Sequence, residues 1–289
     1  MEFAIRPAEP RDQPAVAAFT QDTFSWGDYV GDAFAAWVSD PHSALPVAVD
    51  GADRAVAMAR GVMLSESELW LQAARVHPDW RRQGVASALD DWLESWGRDR
   101  GGRIARMAIE DWNEPALAQV ARIGYRQVGR WTVAGRDVGA PAPVVAGNGG
   151  RRRPPLDRLI AAPSAEATPA YMAWSAGELG RAARGLVAIG WTWRRVTPED
   201  LVRAARARAL WMAPPGWLMG ALDDGTFDVG WLETGPDEIR ELLEAAIDLA
   251  AGQDANRLVI RAPAVDWLAT ELDKMGFDRW SVMLHAKPL

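Results

Sequence analysis

The chain has 289 residues, 49% hydrophobic and 25% charged, which suits two globular domains of ordinary size and excludes a disordered or collagen-like protein. It has no Cys, so disulfides, thiolate catalysis and Cys-held zinc are excluded, and its three His (His42, His77, His285) are too scattered for a His-rich metal site. A net charge of −7 argues against nucleic acid as a partner, yet leaves room for a local basic pocket around one phosphorylated small molecule.

The start, "MEFAIRPAEPRDQ", carries acids and prolines where a signal peptide needs a basic end and an apolar core. No run approaches the roughly 18 apolar residues of a membrane span. Together with the missing Cys, this fits a protein of the reducing cytoplasm that acts away from membranes. Phe3 to Arg6 reads as a strand, followed by a turn and a helix, and then a second helical segment from Asp32 to Ser39. "LPVAVDGADRAVAMARGVML" is two apolar runs joined at Asp50-Gly51-Ala52-Asp53, a hairpin signal. "ELWLQAARV" is a third strand, ending at Pro78.

After that strand comes "RVHPDWRRQGVASALDDWL". Val85, Leu89, Trp92, Leu93 and Trp96 share one helical face and can bury it against a sheet. A helix N-terminus presents unpaired N–H groups and about half a positive charge. Arg81 and Arg82 stand beside that end, Gly84 lets the backbone approach a ligand, and small Ala86 and Ser87 leave it open. The arrangement suits a pyrophosphate; a solvated Arg-rich turn before a core helix explains the same residues.

A strand "RIARMAI", a helix from Pro115 and a closing strand after Gly124-Tyr125 follow. The stretch "GAPAPVVAGNGGRRRPP", with the basic triplet Arg151 to Arg153, reads as a loop or linker, and it sets the division into residues 1–165 and 166–289. Ser175 and Glu178 have capping-box spacing, which predicts a helix from there to about Ala188.

The chain also repeats itself. "FAIRPAEPRDQPAVAAF" is similar to "WTWRRVTPEDLVRAARA", and "LAQVARIGYRQVGRW" to "LATELDKMGFDRWSV". In the latter pair a helix ends at Gly124 or Gly276, where the left-handed position after a helix favours glycine. In the second copy the opening loop becomes Gly235-Pro236-Asp237-Glu238. Two acids there stabilise the helix dipole and repel a pyrophosphate.

"VHPDWRRQGVA" resembles the acetyl-CoA signature of the GNAT N-acetyltransferases, with Arg81, Gly84 and Ala86 at its defining positions. Asn113, the helix after it and Gly124-Tyr125 resemble a second element of that family, and the resemblance covers residues 1 to about 136. It implies an α+β fold: two GNAT-like domains, the second degenerate, each a mixed, mostly antiparallel sheet with flanking helices and a splayed central strand pair.

By the same resemblance, acetyl-CoA is the acyl donor. Backbone groups of Ala74 and Val76 would hold the pantetheine arm, and Arg81, Arg82, Gln83, Gly84, Val85, Ala86 and Ser87 the pyrophosphate. Asn113 would touch the arm, although it also suits a plain helix cap. A neutral primary amine would attack the thioester directly, and the thiolate would leave. Glu68, then Glu66, are the candidate bases; Glu110 and Asp111 are further acids near the cleft. Seven residues after Asn113, where many members carry a Tyr acid, stands Val120. Water or Tyr29 would then protonate the thiolate, or the protein is a non-catalytic acyl-CoA-binding or regulatory module.

Trp26, Asp28, Tyr29 and Asp32, with Trp37 close by, are the candidate acceptor residues. Their aromatic and acidic character suits a cationic amine, and amphipathic helix packing is the alternative. The second copy would buttress the first as an internal pseudo-dimer partner, in a monomer or a homodimer.

Overall fold

The computed structural model describes residues 2–23, 27–139 and 158–289. The expected linker and its arginine triplet lie almost wholly outside them. The chain divides into two compact units that do not follow its linear halves. Unit 1 comprises residues 1–108, 114–126 and 285–289; unit 2 comprises 109–113 and 127–284.

Unit 1 runs β1 (Ala4–Pro7), α1 (Gln13–Thr20), α2 (Val30–Ser39), β2 (Ser43–Ala44), β3 (Pro46–Val49), β4 (Ala55–Met63), β5 (Glu68–Val76), α3 (Val85–Arg98), β6 (Ile104–Glu110) and α4 (Glu114–Arg122). Strands β1, β3, β4 and β5 pair antiparallel in that order, β2 pairs β4, and β6 joins β5 in parallel. The β3–β4 hairpin forms where Asp50 was expected to turn the chain. Its Oδ1 accepts the N–H groups of Ala52 and Arg54, the local bonding that makes Asp a turn residue.

Two helical layers sandwich this sheet. Val16 of α1 and Val30 and Phe34 of α2 pack with Val47 and Met58 on one face. On the other face Gly61 of β4 has no side chain because Leu93 of α3 needs the room: a Cβ there would lie 2.9 Å from Leu93 Cδ2. Leu89 and Leu93 are wholly buried, as the helical spacing predicted. The chain's last residues also belong to this unit, where the Leu289 N–H donates to Arg103 O at 3.0 Å.

Unit 2 takes in the first repeat's closing strand, β7 (Arg126–Asp137), and continues with β8 (Ile160–Ala161), α5 (Ala167–Ala176), α6 (Glu178–Ala183), β9 (Leu186–Ile189), β10 (Thr192–Arg195), α7 (Pro198–Arg206), β11 (Leu210–Ala213), β12 (Gly216–Asp223), β13 (Thr226–Glu233), α8 (Ile239–Gly252), β14 (Arg257–Pro263), α9 (Asp266–Lys274) and β15 (Asp278–Pro288), whose end from His285 passes into unit 1. Strands β8, β11, β12 and β13 are antiparallel neighbours, β13 and β14 run parallel, and β7 pairs antiparallel with β14. Several Trp residues pack here: Trp131 meets Trp193 edge-on at 5.9 Å, Trp174 lies 6.0 Å from Trp231, and Trp191 stacks on Trp280.

The repeat is visible in side-chain detail. In the first copy Arg6 Nη1 and Nη2 each donate at 2.8 Å to Asp12, and Asp12 Oδ2 also accepts the Glu9 N–H. In the second, Arg194 donates to Asp200 at 2.9 and 2.7 Å, and Asp200 Oδ2 accepts the Thr197 N–H. The helix expected from Ser175 to Ala188 forms only from Glu178 to Ala183, as α6. Ser175 closes α5 with its hydroxyl on Met172 O, and α6 stops at Arg184 and Gly185, both at positive φ. Leu186–Ile189 then pairs with β10, because a run of branched apolar residues gains more from strand pairing than from helix extension.

Candidate functional site

The site is built on the end of β5. Its parallel pairing with β6 lasts only from Glu68↔Ile104 to Trp70↔Arg106, after which the two strands part. On its other side the register runs Met58↔Arg75 and then Arg60↔Gln72, two steps along β4 against three along β5. The extra residue is a β-bulge at Ala73, whose φ of +57° is rare for a residue with a side chain. Ala74 and Val76 therefore lie beyond the bulge, on the segment that has left β6. Ala74 O accepts from Arg75 Nη1 and Val76 O from Arg81 Nε.

The chain then turns through His77–Trp80 into α3. His77 Nδ1 accepts the Asp79 N–H at 3.2 Å and its ring meets Phe19 edge-on, which are structural contacts. Trp80 is buried, and Gln83 Nε2 donates to Asp79 O at 2.8 Å. Arg82 has φ +61°, and Gly84, at φ +80° and ψ 0°, is the residue before the helix. Positive φ values two residues apart curl the backbone into the kind of concavity that gathers N–H groups around an anion. The first helical bond is Ala88 N–H to Gly84 O. The N–H groups from Gly84 to Ser87 thus lead the helix without an intrahelical acceptor.

A Cβ built on Gly84 would meet nothing within 4 Å, so the missing side chain leaves open space at the helix head rather than room for a neighbour. Arg81 and Arg82 are exposed around it, Val85 is buried, and Ala86 and Ser87 are half-buried. These residues fit a pyrophosphate: a cradle that a side chain would fill, leading N–H groups and two cations.

The second repeat shows what the same place looks like without that chemistry. Parallel pairing of β13 with β14 also stops early, after Val229↔Ile260. There, however, β9 lies against the strand: a Cβ on Gly230 would fall 1.9 Å from Ala188 O. Helix α6 touches both β13 and β14. The residues leading into α8 are the exposed acids Asp237 and Glu238, and Val265 is the residue before α9.

The base role expected of Glu68 does not fit its surroundings. Its carboxylate is buried and bound to Arg106, and Oε2 accepts from Ser65 Oγ. It also sits where β5 and β6 are paired. Ala74 is six residues further on, about 20 Å away at roughly 3.3 Å per residue. Glu66 is exposed at that same end, lining an open depression of about 410 Å³ with His42, Met63, Trp96 and Arg100.

The acceptor residues are also differently employed. Asp28 Oδ2 accepts from Arg75 Nε at 2.6 Å and Oδ1 caps the Val30 N–H, so this carboxylate is neutralised and engaged. Asp32 is exposed in the first turn of α2, Tyr29 is exposed with its ring edge-on to Trp37 at 5.8 Å, and Trp26 lies outside the described residues. Asn113 belongs to unit 2, in the turn before α4, where its N–H donates to Glu110 O. Val120 is buried, as a packing residue would be.

Three participants escaped the sequence reading: the bulge at Ala73, Arg60 with Asp40, and a buried polar cluster behind α3. Arg60 was signalled by being the sole charge in "AVAMARGVM". In the cluster, Glu94 accepts from Lys287 Nζ at 2.8 and 2.9 Å and from the Tyr125 hydroxyl at 3.0 Å. Burial, then the Glu94 charge, pushes the Tyr125 hydroxyl far above its ordinary value, so this tyrosine packs rather than titrates. Burial, then the Glu94 and Asp91 charges, raises the neighbouring Asp90 to about 7.

A mixed sheet with a parted parallel pair, a bulge at the parting and a glycine-led loop with two arginines at a helix head describe the arrangement. Residues 13–125 are similar to the acetyltransferase (GNAT) family. Over the whole chain the fold is similar to a GCN5-related N-acetyltransferase from Sphaerobacter thermophilus (TM-score 0.69, 17% identity, 99% of this chain and 95% of that one). It is also similar to a tandem GNAT protein from the clavulanic acid biosynthesis pathway (TM-score 0.60, 13% identity, 99% and 98%). No curated protein matches the chain. The chain as a whole therefore has a fold similar to that of tandem GNAT proteins, with the family match confined to residues 13–125.

Proposed function

We propose that the protein is an acetyl-CoA-dependent N-acetyltransferase that transfers the acetyl group directly to a primary amine, using only its first repeat. The observation that carries this reading is the bulged end of β5, free of β6, leading into the Arg81–Ser87 loop with its left-handed Gly84. The similarity of residues 13–125 to the GNAT family supports acyl transfer in general. Acetyl-CoA would supply the activated acyl group. Arg81, Arg82 and the N–H groups from Gly84 to Ser87 would hold its pyrophosphate, and backbone groups at Ala74 and Val76 would align its arm beside the bulge. Backbone N–H groups at such a place can stabilise a developing oxyanion.

Asp28 and Asp40 are held by Arg75 and Arg60, so neither suits the role of base. A water path to the exposed surface around Ala74 and Tyr29 is the better match for removing the amine proton. The second repeat, with Asp237 and Glu238 at its helix head, would not take the cofactor. Among the described residues no helix is long and apolar enough to cross a membrane, and the cysteine-free chain suits the cytoplasm. The test is thiol release from acetyl-CoA over a panel of small amines, beside calorimetric binding of CoA. Binding without release on any acceptor would favour the non-catalytic module.

A further inference from the structure

Two arginines flank the bulge, and they are differently satisfied. Arg75 uses all its donor edges: Nε and Nη2 on Asp28, and Nη1 on Ala74 O. Arg60, directly across from Gln72 on β4, donates Nη2 to Asp40 Oδ2 at 2.6 Å. Among the described residues its Nε is buried and has no hydrogen-bond partner. The guanidinium lies 4.9 Å over the Trp37 ring, and its side chain is 13% exposed. Burial works against its charge and lowers its pKa, an effect the Asp40 bond offsets only in part.

Asp40 is in turn committed, since it also accepts the His42 N–H at 2.9 Å. A cation placed here would face two guanidiniums and find both carboxylates taken. An anion would find a charged donor that burial has deprived of water. A buried ionic donor left unpaired is costly, and a ligand that pairs it recovers that cost.

Resting on the proposed transfer reaction, we infer that the acceptor is a small amine that also bears a carboxylate, which Arg60 receives through its unpartnered Nε edge. The exposed Tyr29 ring and the Trp37 face would flank this carboxylate, with the amine directed at the bulge. This reverses the cationic acceptor expected from Asp28 and Asp32, because Arg75, which neutralises Asp28, was not visible as its partner.

The experiment is thiol release from acetyl-CoA with acceptors paired to differ at one group. Free amino acids and dipeptides are compared with their carboxamides, and putrescine and spermidine serve as cationic controls. The carboxylate member of a pair is expected to have kcat/KM at least about tenfold higher, the worth of one charge-assisted hydrogen bond. In Arg60→Gln that preference should shrink to within about threefold while CoA affinity is unchanged. If loss of the Asp40 partner unfolds Arg60→Gln, Arg60→Lys keeps a cation for Asp40 but removes Nε, and should lose the preference too. Turnover of carboxamides or polyamines as fast as carboxylates overturns the inference and leaves the transfer reaction standing. So does an undiminished preference in either variant. Thiol release with no acceptor at all, despite bound acetyl-CoA, counts against both.

Discussion

Gly84→Glu would give the first repeat the acid that the second carries at Glu238, and its effect can be worked out in two parts. An L-residue at φ +80° costs about 1–2 kcal/mol of backbone strain. There is no steric addition, because nothing lies within 4 Å of the new Cβ. The variant should therefore fold, with a modestly lower Tm. The second part is electrostatic. One carboxylate about 5 Å from one phosphate charge repels it by roughly 3 kcal/mol at an effective dielectric constant of about 20. Solvent screening at this exposed loop brings that down to roughly 1.5–2.5 kcal/mol. The expected loss of CoA affinity is thus about 10- to 70-fold. Isothermal titration of CoA against wild type, Gly84→Ala and Gly84→Glu separates strain from charge, because the alanine variant carries only the first. CoA affinity in Gly84→Glu within about twofold of wild type would refute the loop as the pyrophosphate site. Glu238→Gln should leave affinity unchanged, and a marked loss there would move the site to the second repeat.

Glu68→Gln leaves half-buried Arg106 without its carboxylate, so denaturant titration should show about 3 kcal/mol of lost stability, whereas kcat per folded molecule should fall less than about threefold; a hundredfold loss of kcat with the fold intact would restore Glu68 as the base. Asp90 has its carboxyl raised from 3.8 to about 7, so the fold holds its proton more tightly than the unfolded chain, and stability falls as pH rises between those values. Asp90→Asn should accordingly be more stable than wild type at pH 8, by up to about 4 kcal/mol at 1.36 kcal/mol per pH unit, and little different near pH 4; a less stable variant at pH 8 contradicts this. Asp12 behaves oppositely: burial pushes its carboxyl up, but the Arg6 and Glu9 N–H bonds outweigh that and hold it below the ordinary value. Its contribution is present above about pH 4 and lost as pH falls through the lowered value, so Asp12→Asn should cost about 2 kcal/mol at pH 7, with the gap from wild type closing in acid. Asp200→Asn should repeat that behaviour in the second unit.

What the sequence made readable was local. The hairpin at Asp50, the helix with Leu89 and Leu93 inward and the loop around Gly84 each follow from residues within a few positions of one another. The bulge at Ala73 does not, because it is a mismatch in step between β5 and β4, and "QAARV" fits a regular strand equally well. Glu68 illustrates the same limit. Its place on a strand was legible, but only the parallel register with β6 reveals Arg106 as its partner and places it at the paired end. The capping-box spacing at Ser175 and Glu178 was a true pattern with a false consequence, since α5 already ends there. The assignment of β7 to unit 2 was beyond reach as well, because β7 and β15 look alike as patterns whichever unit receives them.

The two repeats also sort requirements of the fold from requirements of a ligand. Arg6–Asp12 and Arg194–Asp200 make the same bidentate brace between a strand and the helix that follows it. Each brace acts inside its own unit, so both copies need it whether or not either binds anything. The parallel strands part early in both copies too, so parting by itself is a property of the sheet. What differs is what meets the opening. In unit 2 it is the chain's own β9 and α6, with acids leading the helix. In unit 1 it is a bulge, a left-handed glycine with open space at its Cα and two exposed arginines. An anion-binding helix head is of use only where the opening beside it is free to admit the rest of the ligand. The charge of the loop and the freedom of the strand end therefore change together, and that joint change supports the proposed cofactor site in the first repeat better than either feature would alone.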